Sequence, residues 1–242
     1  MTTPFIQRVY NFMFMVLLVI CISSCKSFKK DSSEVVTTLL SPTPTLVEDR
    51  DGNVYHTVVI GTQEWMLENL RTTRYQNGEV IPMVTDGIQW NKLTTGAFCN
   101  YEHEASYGLT YGHLYNWYAI VDTRDICPDG WHVPSDDDWD ILSSFLGGDL
   151  VAAGKMKETK AGSWNSPNIG ATNVSGFTAL PGGYRSVRGE FHSLGSYTFL
   201  WSSTPYAPET AWCRYFQNGS DRMDRIDNYK AFGFSIRCIK DK

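Results

Sequence analysis

Side chains able to do chemistry are few and mostly solitary in this 242-residue chain. His56, His103, His113, His132 and His192 occur singly, with no His-x-x-x-His or Cys-x-x-Cys spacing, so the paired ligands on which zinc sites are built are missing. Asp49-Arg50-Asp51-Gly52-Asn53 has the flavour of a calcium loop, but it lacks the further ligands and the distant glutamate of an EF-hand. Asp136, Asp137 and Asp138 are three carboxylates in a row, and at a helix start the macrodipole favours each by about 0.3–1 kcal/mol without any metal. Glu102 and Glu104 are acids of the type used in glycoside hydrolysis; that chemistry is set by spatial separation, and surface acids are the simpler reading. No Gly-x-Ser-x-Gly elbow, Walker loop or dinucleotide fingerprint is present. The expectation is a protein with no catalytic residue, no metal and no cofactor.

Aromatic side chains are the other resource. They make up 14% of the chain, with eight tryptophans and thirteen tyrosines, and many punctuate Gly- and Ser-rich segments. Tryptophan and tyrosine offer flat apolar faces with a polar handle, which suits both pyranose rings and protein interfaces. Trp90, Tyr107, Trp164 and Tyr206 fall in presumed loops, and Trp164 and Tyr206 are the candidate contacts for a glycan or protein ligand. The net charge of −5, with no Lys/Arg block beyond Lys29-Lys30, argues against nucleic acid as a partner.

The elements that must carry these residues read as α+β. Ser135 and Asp138 form a capping box, which starts a helix at Asp136. Trp139, Leu142 and Leu146, widened by Ile141 and Phe145, give that helix an apolar stripe, and Gly147-Gly148 ends it. A second stripe, Leu114, Trp117, Tyr118 and Val121, predicts a helix from about Tyr111 to Val121. Val54 to Ile60 and Gln63 to Leu67, joined by Gly61-Thr62, predict a hairpin. Residues 149–158 are ambiguous between short helix and strand. Short strands follow near Phe177–Leu180, Phe191–Leu194, Phe199–Ser202, Trp212–Phe216 and Phe234–Ile239.

Before the folded region comes an export signal. Arg8 precedes the apolar run Phe12 to Ile20, which has the length of a secretory h-region and is too short for a membrane span. Ile22-Ser23-Ser24-Cys25 resembles the lipobox of bacterial lipoproteins, which implies a leader over residues 1–24, lipid on Cys25 and a membrane partner through that lipid. Residues 25–46 then form the lipidated N-terminus and a tether with Pro42 and Pro44, and residues 47–242 one domain.

One run is long enough to carry a family resemblance: Cys127-Pro-Asp-Gly-Trp-His-Val-Pro-Ser-Asp-Asp-Asp-Trp139. With Ile60–Leu70, Tyr111–Tyr118, Gly170–Phe177, Ala179–Gly183, Leu200–Thr204 and Gly233–Cys238, it resembles the Fibrobacter succinogenes major paralogous domain, found in bacterial envelope proteins and without a known function. That family in turn resembles formylglycine-generating enzymes and the C-type-lectin-like fold. The resemblance implies a single C-type-lectin-like domain with two helices, short antiparallel strands and long loops, held at the bacterial envelope, with the outer membrane the expected site. It places Trp117, Trp131, Trp139 and Trp201 in core motifs, and it pairs Cys127 with Cys238. Cys99 and Cys213 then remain, as a second disulfide or as free thiols. The Glu-Pro-Asn and Gln-Pro-Asp motifs of calcium-dependent lectins are absent, since Ser166-Pro167-Asn168 lacks the acid. A thiol-dependent oxidase is the competing function, located by the same resemblance at Trp212-Cys213-Arg214-Tyr215. Copper-thiolate chemistry needs two soft ligands, and only Cys213 is there. A non-catalytic binding or surface-display module is the function expected.

Overall fold

A computed structural model describes residues 46–242; the expected leader, Cys25 and the expected tether up to residue 45 lie outside the described residues. Strand β1 (Leu46–Glu48) pairs antiparallel with β2 (Val54–Ile60), which turns at Gly61 into β3 (Gln63–Met66), so the expected hairpin forms. The left-handed φ of 63° at Gly61 is cheap only for glycine, and a Cβ there would come within 2.9 Å of the Phe145 ring. Asp49, in the turn after β1, accepts from the backbone N–H groups of Asp51 and Asn53, from Asn53 Nδ2 and from the Tyr55 hydroxyl. The apparent calcium loop is thus a hydrogen-bonded turn whose key carboxylate is already engaged.

Next come α1 (Gly87–Asn91), β4 (Phe98–Cys99), α2 (Ala105–Tyr111), β5 (Leu114–Tyr115) and α3 (Trp117–Ile120). The helix expected from Tyr111 to Val121 is not formed. Gly112 (φ 78°) ends α2 where the backbone passes so close to Asn69 and Leu70 that a Cβ would clash, and Leu114-Tyr115 then pairs with β4. Asn116 caps the four-residue α3 by accepting from Ala119 N–H at 3.2 Å. The i, i+3, i+4 stripe is split: Leu114 packs with Trp90 and Cys99, Trp117 joins the core of Tyr115 and Trp201, and Val121 is exposed.

β6 (Trp131–His132) leads to α4 (Asp136–Phe145), which starts and stops as the sequence predicts. Its capping box is complete, and Gly147 and Gly148 follow with φ of 99° and 93°. The ambiguous segment is helical, as α5 (Ala152–Met156). Of the strand expected at Phe177–Leu180 only an isolated bridge, Lys157 to Ala179, exists. β7 (Tyr184–Arg185), β8 (Phe191–His192), β9 (Tyr197–Pro205), β10 (Thr210–Gln217), β11 (Asp224–Tyr229) and β12 (Ile239–Lys240) complete the chain. β11 was not expected, because Asp-Arg-Ile-Asp-Asn-Tyr carries no apolar alternation.

One five-stranded sheet has the order β1-β2-β3-β12-β6 and a three-stranded one the order β11-β10-β9, with two further two-stranded pairs. Short helices beside antiparallel sheets make this an α+β protein. The α4 stripe of Trp139, Leu142 and Leu146 packs with Ile60, Trp65, Phe177, Leu200 and Phe216, while Tyr115, Trp117, Trp131, Trp201, Phe234 and Ile236 build a second core on the other side of β9 and β10. Among the described residues no helix is long and apolar enough to cross a membrane.

Candidate functional site

The acids and thiols with chemical promise are spent on structure. Cys127 and Cys238 are bonded, with Cα atoms 6.0 Å apart, fastening the chain before α4 to the chain before β12. Cys99 and Cys213 are free and buried, so the second disulfide is not made. They belong to different cores: Cys99 sits with Trp90 and Leu114, whereas Cys213 lies on β10 with Trp201 and Phe234. Burial pushes each thiol up to about 12, so neither is a thiolate at neutral pH. Asp136 is paired at 2.5 Å with both Arg214 and Arg225. Asp138 completes the capping box, and hydrogen bonds from the His132 ring and from the Ser135 hydroxyl and backbone N–H hold its carboxyl down at about 2. His132 itself lies between Asp138 and Asp241 and is raised above its usual value by hydrogen bonds to both. Among the described residues no group of three or more His, Cys, Asp or Glu could hold a metal ion.

Seven of the eight tryptophans are buried. Trp164 is one of them: it is 6% exposed and donates its Nε1–H to Ala179 O at 2.9 Å. It is a core residue and cannot be a ligand platform; the Gly/Ser/Pro setting that suggested a loop tip instead folds over it. Tyr206 is different. It is 57% exposed and leans on Trp212, the one half-buried tryptophan, with ring centroids 4.5 Å apart. The Arg225 guanidinium covers Trp212 at 3.4 Å and is itself held by Asp136. A charge pair from the start of α4 therefore fixes the platform against which Tyr206 rests.

Tyr206 heads the turn between β9 and β10, and that turn delivers Glu209 to one wall of a groove of about 320 Å³. The other walls come from Asn91, Lys92 and Leu93 after α1, Tyr118 on α3, and Tyr229 and Lys230 at the end of β11. Tyr229 is 58% exposed. Lys230 is oriented by donating to Pro208 O at 2.7 Å and by lying 4.6 Å above the Trp117 ring centroid. Burial, and secondarily Glu209, raise the Tyr118 phenol, so it remains a neutral donor. The groove thus presents two tyrosines, a carboxylate acceptor and ammonium and amide donors around one space. A second cavity of about 350 Å³ lies beside the disulfide, but it lacks aromatic walls, and its Asp49, Arg50 and Arg74 are already bonded within the protein.

Tyr118, Glu209, Tyr229 and Lys230 were not among the ligand contacts expected from the sequence. Tyr118 was hidden in an apparent helical stripe. Tyr229-Lys230 ends a strand with no apolar signature, and no local pattern would have placed it beside α1.

A family model described as the Fibrobacter succinogenes major domain matches residues 58–240. No curated protein and no solved structure matches the chain.

Proposed function

We propose, from the premise that the chain belongs to the Fibrobacter succinogenes major domain family, that this protein is a lipid-anchored envelope module of C-type-lectin-like fold that binds a glycan without transforming it. The observation that carries the reading is the groove between α1, α3, the β9–β10 turn and the end of β11. Tyr229, one of the protein's most exposed aromatics, lines it, and Tyr206 stands on the turn that brings Glu209 to it, while nearly all tryptophans are buried. A pyranose has apolar C–H faces and a girdle of hydroxyls that both donate and accept. Tyrosine faces match the first, and Glu209 with Lys92, Lys230 and Asn91 match the second. The buried thiols at Cys99 and Cys213 favour binding over the competing oxidase, which would need an accessible thiolate.

Alanine at Tyr206 and Tyr229 together should reduce retention on an array of bacterial and plant polysaccharides at least tenfold, with the melting temperature held because both side chains are exposed. Unchanged retention would refute the groove as the contact site. For the anchor, Cys25→Ser should move the protein from the membrane fraction to the soluble one. A protein that stays with membranes would refute attachment through Cys25.

A further inference from the structure

The outer edge of β11 is open over a short window, and that window is complementary to itself. Ile226 lies opposite Cys213 on β10, and the same register places Lys230 opposite Glu209, where Lys230 N–H bonds Glu209 O. Backbone groups of a strand alternate in direction, so those of Asp224, Ile226 and Asn228 turn towards β10, and those of Arg225 and Asp227 turn outward. The window is closed at one end, where Met223 N–H bonds Asp149 O, and at the other, where Tyr229 O accepts from Phe232 N–H. Between them, among the described residues, no backbone group pairs with this edge.

We propose that this edge pairs antiparallel with the same edge of a second copy of the chain, about a two-fold axis at Ile226. In that register Arg225 faces Asp227 of the other copy, Asp224 faces Asn228, and Ile226 faces itself. The peptide groups of Arg225 and Asp227 exchange hydrogen bonds across the axis, four in all for the two copies. On one sheet face Arg225 meets the opposite carboxylate. Its Nε and Nη2 are held by Asp136, which leaves Nη1 for the partner. On the other face the partly exposed Ile226 side chains meet. Charged residues on an edge strand normally repel a neutral strand; here they discriminate in favour of an identical one. A five-residue window is small for an interface, so the dimer is weak and salt-sensitive.

The test is cross-linking of purified full-length protein carrying Ile226→Cys. At the axis the two thiols face one another at a non-hydrogen-bonded position, where Cα atoms lie about 4.5 Å apart. The same change at Asp224 puts the thiols about 14 Å apart by strand rise. Under mild oxidation Ile226→Cys should give a disulfide-linked dimer at least tenfold faster than Asp224→Cys. Adding Asp227→Arg, an outward-facing change that leaves the Asp136 pairs intact, should abolish that advantage, as should high salt. Equal rates for the two cysteine positions, or an advantage that survives Asp227→Arg, would overturn the proposal. A strand from another protein seated on this edge would give the same outcome and overturn it too.

Discussion

The start of α4 and the long loop region after α5 both bring polar backbone into a crowded interior, and they satisfy it by opposite means. At α4 the solution is local. Ser135 and Asp138 bond each other's backbone N–H groups within one turn, and Asp136 meets Arg214 and Arg225 as an ion cluster. Between Lys157 and Tyr197 there is almost no regular structure, and buried cations tie the segment to carbonyls far along the chain. Lys157, fully buried, donates to Ile169 O, Gln217 O and Ser220 O at 2.7–3.0 Å. Arg185 donates to Val84 O, Thr85 O and Gly189 O, and Arg237 to Phe177 O and Asn69 Oδ1. Burial lowers Lys157 to about 8 and Arg237 to about 9, so both remain largely charged at neutral pH. Where a ladder or helix does not pair the main chain, side-chain donors must, because an orphaned buried carbonyl is expensive.

The comparison is broken most severely at Lys157. Lys157→Met keeps the apolar stem and removes the ammonium, leaving the partly buried Ile169 and Ser220 carbonyls without a donor and Gln217 O with only the Ser220 N–H at 3.4 Å. With each of the two orphaned groups costing about 1–3 kcal/mol, a loss of roughly 2–6 kcal/mol is expected in denaturant unfolding. A loss under 1 kcal/mol would mean that the loop region does not depend on its internal cation. Ser135→Ala at the local device should cost about 1 kcal/mol in the same assay, the usual value of an N-cap. A cost matching that of Lys157→Met would remove the distinction between the two regions.

The smallest effect concerns His132. Its folded value is raised, so the stability it contributes is fully present below about pH 6.5 and is lost as pH rises through the folded value. Its ring is nearly half exposed, which keeps the contribution to roughly 0.2–1 kcal/mol. The stability gap between the protein and its His132→Gln variant should therefore be larger at pH 5.5 than at pH 8.5. A gap independent of pH would show that the Asp138 and Asp241 contacts are not charge-dependent.

The local devices were legible in the residues themselves. The capping box and the Gly147-Gly148 stop depend on neighbours within a turn, and so does the Gly61 hairpin, so the sequence alone determined where α4 begins and ends and how β2 meets β3. The pairing of Cys127 with Cys238 followed from family resemblance and not from spacing. What only the tertiary structure decided is everything that depends on distant partners. It divided the Leu114–Val121 stripe between a strand and a helical turn, because Gly112 must pass Asn69. It kept Cys99 and Cys213 apart by assigning them to separate cores, and it buried Trp164 beneath a loop that reads as a surface. It also gathered Tyr118, Glu209 and Tyr229 around one groove from three elements, a convergence with no trace in sequence because those elements are far apart along the chain.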